Sequence, residues 1–131
     1  MSIPPRFPLT PEQINQVVAR FYAAVRKHEV LGPIFAEHVT NWPEHEEKIA
    51  AFWRNAILYE RAYNGNPMAV HRAAGNVRSD HFPQWLALFD ETLARCLPPE
   101  SADAWSTLAH RIGAGLSMGV AMEDGQPPRL R

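Results

Sequence analysis

From Thr10 the apolar positions recur every three or four residues, at Ile14, Val17, Val18, Phe21, Tyr22 and Val25, which is the spacing of one buried stripe on an α-helix. Thr10 is placed to cap that helix, Pro11 suits its first turn, and Gln13 completes a capping box. Gly32-Pro33 closes the segment, and a short apolar patch, Ile34-Phe35, follows. A second helix is predicted from the Thr40 to Pro43 region to the Asn64-Gly65-Asn66-Pro67 turn, burying Trp42, His45, Ile49, Phe52, Trp53 and Ala56. Asn66-Pro67 then opens a short helix carrying Met68 and His71, which Gly75-Asn76 limits to about two turns. A fourth helix runs from about Asp80 to Leu97 with Phe82, Trp85, Leu86, Phe89, Leu93 and Cys96 inward, and Pro98-Pro99 ends it. A fifth, capped by Ser101, extends to about Met122 with Trp105, Leu108, Ile112, Leu116 and Val120 on its face.

No stretch alternates apolar and polar residues between turn signals, and Val, Ile and Thr do not cluster as a strand requires, so the expected fold class is all-α. At 131 residues the chain is one domain, 1–131, with residues 1–9 and 124–131 as loose tails. The twelve prolines fall in groups beside turns and punctuate the helices.

Composition removes several function classes. Thirteen basic against fourteen acidic residues leave a net charge of -1, which gives no electrostatic excess for a phosphate backbone, so no nucleic-acid partner is expected. The N-terminus lacks the apolar core of a secretory signal, and no apolar stretch approaches the roughly 20 residues of a membrane span. One cysteine, Cys96, excludes an internal disulfide and a Cys-rich metal site and suits a reducing compartment; the expectation is a soluble, cytoplasmic monomer.

Candidate chemistry centres on polar-tipped aromatics that sit on apolar stripes: Tyr22, His45, His71 and Trp85 each carry an atom that requires a partner once buried. No pair among His28, His38, His45, His71, His81 and His110 has the i, i+4 spacing of a zincin. No glutamate stands three residues before a histidine, as a carboxylate-bridged di-iron bundle needs. Nucleophile elbows, Gly-rich phosphate loops and a Cys-His motif around Cys96 are also absent. A flat apolar cofactor held by one axial histidine, with polar tips on its other face, is compatible with what is left, and haem fits that description. A helical interaction module without a cofactor, its aromatics serving only as core, is the alternative from a different class.

The blocks Phe21-Tyr22-Ala-Ala-Val25-Arg26, Leu31-Gly32-Pro33-Ile34-Phe35, Trp42-Pro-Glu-His45, Phe52-Trp53, Tyr63-Asn-Gly65-Asn-Pro67-Met-Ala-Val-His71 and Phe82-Pro-Gln-Trp85-Leu86-Ala-Leu88-Phe89 follow one another in an order and spacing that resemble the group III truncated haemoglobins. The resemblance covers residues 21–89. It implies a shortened globin fold, two helices over two, around a haem b. It also implies that His71 is the proximal iron ligand, that Phe35, Phe52, Trp53 and Trp85 line the haem pocket, and that Tyr22, His45, Ile49 and Trp85 form the distal side. The stretch between His71 and Phe82 departs from the family pattern, which affects the loop after the proximal helix.

On that assignment the Tyr22 hydroxyl and the Trp85 indole N–H both donate towards a polarised diatomic ligand, while His45 points at the ligand, swings outward as a gate, or rests on a propionate. Arg54, Arg72 and Arg78 are available by position for the propionates. The ligands implied are O₂, NO, CO or peroxide. Strong donors suit NO dioxygenation or peroxide chemistry better than simple oxygen transport, and turnover calls for a reductase that the chain does not encode.

Overall fold

The computed structural model describes residues 5–61 and 80–123, with side chains as far as Met118. Five helices occupy these residues: α1 (Pro11–Lys27), α2 (Leu31–Ala36), α3 (Trp42–Leu58), α4 (His81–Cys96) and α5 (Pro99–Glu123). No strand occurs among the described residues. The predicted short helix with Met68 and His71 lies outside them.

α1 begins as its sequence dictates. Thr10 Oγ1 accepts from the Gln13 backbone N–H at 3.1 Å and Gln13 Oε1 accepts from the Thr10 N–H at 2.9 Å, a reciprocal capping box. Ile14, Val17, Val18, Phe21, Tyr22 and Val25 are all buried, as the periodicity predicts. The helix stops at Lys27, well before Gly32-Pro33, because His28 turns to extended backbone. The His28 imidazole then accepts from the N–H groups of Val30 and Leu31, both at 3.1 Å, satisfying donors that the start of α2 leaves open. The apolar patch at Ile34-Phe35 is therefore part of a helix of its own. Gly32 lets α2 press onto the end of α1: a Cβ there would stand 2.9 Å from the Arg26 carbonyl oxygen and 3.2 Å from that of Val25, both backbone atoms.

Asn41 caps α3 through a 3.1 Å bond from the Glu44 N–H, within the predicted starting region. α3 ends at Leu58, short of the Asn64-Gly65 turn, because Tyr59 adopts the left-handed conformation (φ 61°) that usually calls for glycine. α4 has nearly its predicted limits. α5 starts at Pro99, not after a Ser101 cap; proline suits a first helical position, and the Ser101 hydroxyl donates instead to the Pro8 carbonyl at 3.4 Å.

α1 packs on α3 and on α4, α4 on α5, and α2 bridges α1 and α4. The core between these pairs holds Ile14, Val17, Phe21 and Val25 from α1, Ala50, Trp53 and Ile57 from α3, Phe89 and Leu93 from α4, and Trp105 and Ala109 from α5. Asp90 ties α4 to α5, accepting from Ser106 Oγ at 2.6 Å while its other oxygen meets His110 Nε2 at 2.7 Å.

One departure from the predicted core bears on function. Of Trp42, His45, Ile49, Phe52, Trp53 and Ala56, only Trp53 is fully buried, with Ala50, Ala51 and Ile57. At 3.6 residues per turn, Trp42, His45, Ile49, Phe52 and Ala56 form a second, half-buried stripe about a quarter turn from the Ala50-Trp53-Ile57 stripe. α3 has a wider apolar arc than α1 covers, and the second stripe forms one wall of the site.

Candidate functional site

Tyr22 stands at the centre of the candidate site. It lies on the buried face of α1, 2% exposed, with ring neighbours from two other helices. Its centroid is 5.0 Å from that of His45 at 88°, 5.7 Å from Phe35 at 71° and 6.2 Å from Trp42. Trp85 comes from α4: it stacks on Phe89 at 5.2 Å and 15° and meets Phe21 edge-on at 5.0 Å. The edge-to-face preference of aromatic quadrupoles accounts for most of these orientations, so the cluster is held by packing as well as by chain position.

The polar tips are arranged unequally. Trp85 acts on the Tyr22 side chain from α4 and favours its ionised form, as a donor close to the phenol oxygen does. An indole offers only an N–H, so in this pair Trp85 can only donate and the Tyr22 oxygen accept. Burial raises the Tyr22 pKa far above its ordinary value, Trp85 draws it back in part, and the Glu46 carboxylate adds to the rise. The hydroxyl thus stays protonated, and a donor, through the whole neutral range.

His45 shows the opposite tendency. Burial lowers its pKa below the ordinary 6.5, and Lys48 acts in the same direction. Its Nε2 is buried with no hydrogen-bond partner. A buried imidazole nitrogen left without a partner costs free energy, and such atoms cluster where a ligand supplies the missing contact. The lowered pKa has a measurable sign. A depressed histidine is neutral in the folded chain, so the stability associated with it is complete above pH 6.5 and is lost as pH falls below that value towards the lowered one. Denaturation curves from about pH 7.5 down to about pH 5 are expected to show the wild type losing stability relative to His45→Gln. Parallel pH profiles would contradict the burial of this ring.

The other predicted residues take distinct places. Phe35 and Ile49 are half-buried beside the cluster, and Phe35 also faces His45 at 5.9 Å. Phe52 is half-buried on the same stripe of α3 and touches the edge of Trp53 at 5.0 Å. Trp53 lies on the core stripe, 3% exposed, stacked on Phe89 at 5.7 Å and 12° and edge-on to Trp105. His71, Arg72 and Arg78 lie outside the described residues. The Arg54 guanidinium is bonded to Asn15 at 2.8 Å and Glu47 at 2.9 Å, with Glu60 at 3.6 Å, on the side of α3 away from His45.

Sequence reasoning missed Trp42 as a wall residue. Its ring lies 5.9 Å from His45 and 6.5 Å from Phe35, and the Arg26 guanidinium sits over it at 4.6 Å. The signals were its position three residues before His45 on one helical stripe and its place in the Trp42-Pro-Glu-His45 block. Phe21, which backs both Tyr22 and Trp85, was read only as core.

A half-buried apolar wall, a protonated hydroxyl and a neutral, unpartnered imidazole nitrogen suit a flat apolar cofactor with a small polar ligand on one face. The fold agrees with that chemistry. A family model described as bacterial-like globin matches residues 10–112. The fold is accordingly that of a globin, a haem-binding class of protein.

Two relatives narrow the class. The group 3 truncated hemoglobin ctb of Campylobacter jejuni is 38% identical over 86 residues, covering 63% of this chain and 68% of that protein. The crystal structure of a group III truncated hemoglobin from Campylobacter jejuni superimposes with a TM-score of 0.82 at 31% identity, over 92% of this chain and 95% of the other. The chain belongs to the bacterial-like globin family, in its group III truncated haemoglobin branch. No helix among the described residues is long and apolar enough to cross a membrane.

Proposed function

We propose that this globin holds a haem b through His71 and uses Tyr22, His45 and Trp85 to bind O₂ and turn it towards redox chemistry, with NO dioxygenation ahead of peroxide reduction and ahead of simple transport. The observation that carries this reading is the pairing of a buried, unpartnered His45 Nε2 with a buried Tyr22 ring 5.0 Å away whose hydroxyl stays protonated. When bound, the haem iron supplies the site for the diatomic ligand and the one-electron chemistry. The chain's own residues supply orientation, a hydrogen bond and the exclusion of water. Phe35, Ile49 and Phe52 offer an apolar wall for the porphyrin, and the rings of Phe21, Phe35, Trp42 and His45 hold the Tyr22 ring in place.

A hydrogen bond from Tyr22 holds a partly negative oxygen and slows its escape, which is a handicap for a carrier and an advantage for a reaction that consumes O₂ in place. The overall conversion joins NO and O₂ with one electron to give nitrate, so a separate reductase supplies the electron. We place the protein, as a monomer, in the cytoplasm, where a lone Cys96 thiol stays reduced.

The test begins with absorption spectra of the purified protein with and without haemin, in ferric, dithionite-reduced and CO-bound forms. A stoichiometric Soret band that shifts on reduction and on CO addition is the expected result, and its loss in His71→Ala supports the ligand assignment. An unaltered spectrum in His71→Ala overturns that assignment. Nitrate formed rapidly from NO and the oxygenated protein supports dioxygenation; little nitrate with fast reaction with peroxide moves the reading to peroxide chemistry. No haem uptake at all favours a cofactor-free helical interaction module.

A further inference from the structure

Between solvent and the rings of Tyr22 and His45 stands the Trp42 corner. Trp42 is half-buried at the first position of α3, with its ring against Tyr22, Phe35 and His45. It lies directly after the non-helical Asn41 cap, at a helix end whose first turn is held by few backbone bonds. Its other neighbour is Arg26, the guanidinium of which stands 4.6 Å from the ring centroid and is paired to the Glu46 carboxylate on α3. Arg26 is 43% exposed and Glu46 19%, so solvent and salt reach this pair from outside. One indole thus touches each inner group named here while a cation, held by a carboxylate, covers it.

We propose that Trp42 is a door to the distal site and that Arg26, held by Glu46, is its latch, so that ligands are admitted at a rate set by how often the cation leaves the ring. The inference rests on the haem reading above. A door of this kind changes the association and dissociation rates of a ligand together and leaves its equilibrium affinity nearly unchanged. That separates it from Tyr22, whose hydrogen bond acts mainly on release. It also discriminates by size, because a larger ligand needs a wider opening. The ion-paired half of the latch is screened by salt, so high ionic strength opens it.

The experiment is flash photolysis of the CO complex of the haem-loaded protein, repeated with alkyl isocyanides of increasing length, at low and high salt. Arg26→Gln is expected to raise the association rate roughly 3- to 30-fold, the factor that one cation–π contact and one exposed ion pair together amount to. Trp42→Ala raises it at least as far, with the largest gain for the longest isocyanide and a matching rise in dissociation. Raising salt speeds the wild type and Lys27→Gln alike, while Arg26→Gln no longer responds. A second readout does not depend on ligand kinetics: in the 5-fluorotryptophan-labelled CO complex, the ¹⁹F line that disappears in Trp42→Phe shifts with salt and with Arg26→Gln. Haem-loaded wild type whose rates and Trp42 line both ignore salt overturns the latch, even where a variant fails to fold. Association rates in Trp42→Ala equal to wild type for all the ligands overturn the door. Failure to take up haem overturns the underlying reading and this inference with it.

Discussion

Tyr22→Phe is expected to retain the fold and the haem while speeding O₂ release by about one to two decades, the loss of one hydrogen bond to a charged acceptor of roughly 1.5–3 kcal/mol. The substitution removes a single oxygen from a residue that is 2% exposed and packed by four rings, so the volume change is small and the neighbours keep their places. Trp85 acts on the same oxygen, however, and in the variant its indole N–H can serve the ligand instead. A double-mutant cycle with Trp85→Phe resolves this. If Trp85 acts through Tyr22, its removal costs much less in the Tyr22→Phe background than in wild type, or even reverses sign. Stopped-flow O₂ dissociation rates for the four proteins are the measurement, and rates within a factor of two throughout would remove Tyr22 from the ligand's surroundings.

Trp53→Ala is expected to lower stability by about 3–5 kcal/mol, the range for truncating a large aromatic in a close-packed core. The indole is 3% exposed, stacked on Phe89 and edge-on to Trp105, so its loss leaves a cavity bordered by rings from two other helices. Chemical denaturation of the haem-loaded protein measures the loss. Family resemblance puts Trp53 among the haem-pocket residues, whereas its packing in the fold is with the core. A loss below about 1 kcal/mol together with a displaced Soret band would return it to the pocket.

These expectations rest on features that the sequence reveals to different degrees. The Thr10–Gln13 capping box and the buried stripe of α1 are local patterns, and the fold reproduces both. The start of α5 is misread because Ser101 looks like a cap, while Pro99 already fits the first helical position and the serine hydroxyl is engaged by Pro8. α2 is invisible as a helix because the group that starts it is a histidine ring acting as acceptor, a role that no capping pattern records. The end of α3 is misplaced because Tyr59 takes a glycine-like conformation without being glycine.

In the site, Tyr22, His45 and Trp85 are legible as polar tips on apolar stripes, and motif order groups them with Phe35. What the chain does not spell out is the relation among tips on different helices. That Trp85 serves the Tyr22 oxygen, and that Arg26 reaches across to Trp42 and to Glu46, are set by how α1 lies against α3 and α4. Separations of this kind carry no periodic signal.

The two stripes of α3 have a consequence for how this protein can vary. Because core and pocket wall share one helix a quarter turn apart, they share its phase. Inserting or deleting one residue between His45 and Trp53 would swing one side by about 100° relative to the other, carrying an imidazole into the core or an indole out of it. Side chains on this wall can be exchanged one at a time, but its length cannot drift. Changes in length are expected to be tolerated before the Asn41 cap and beyond the Tyr59 turn, where they leave the phase of the helix unchanged.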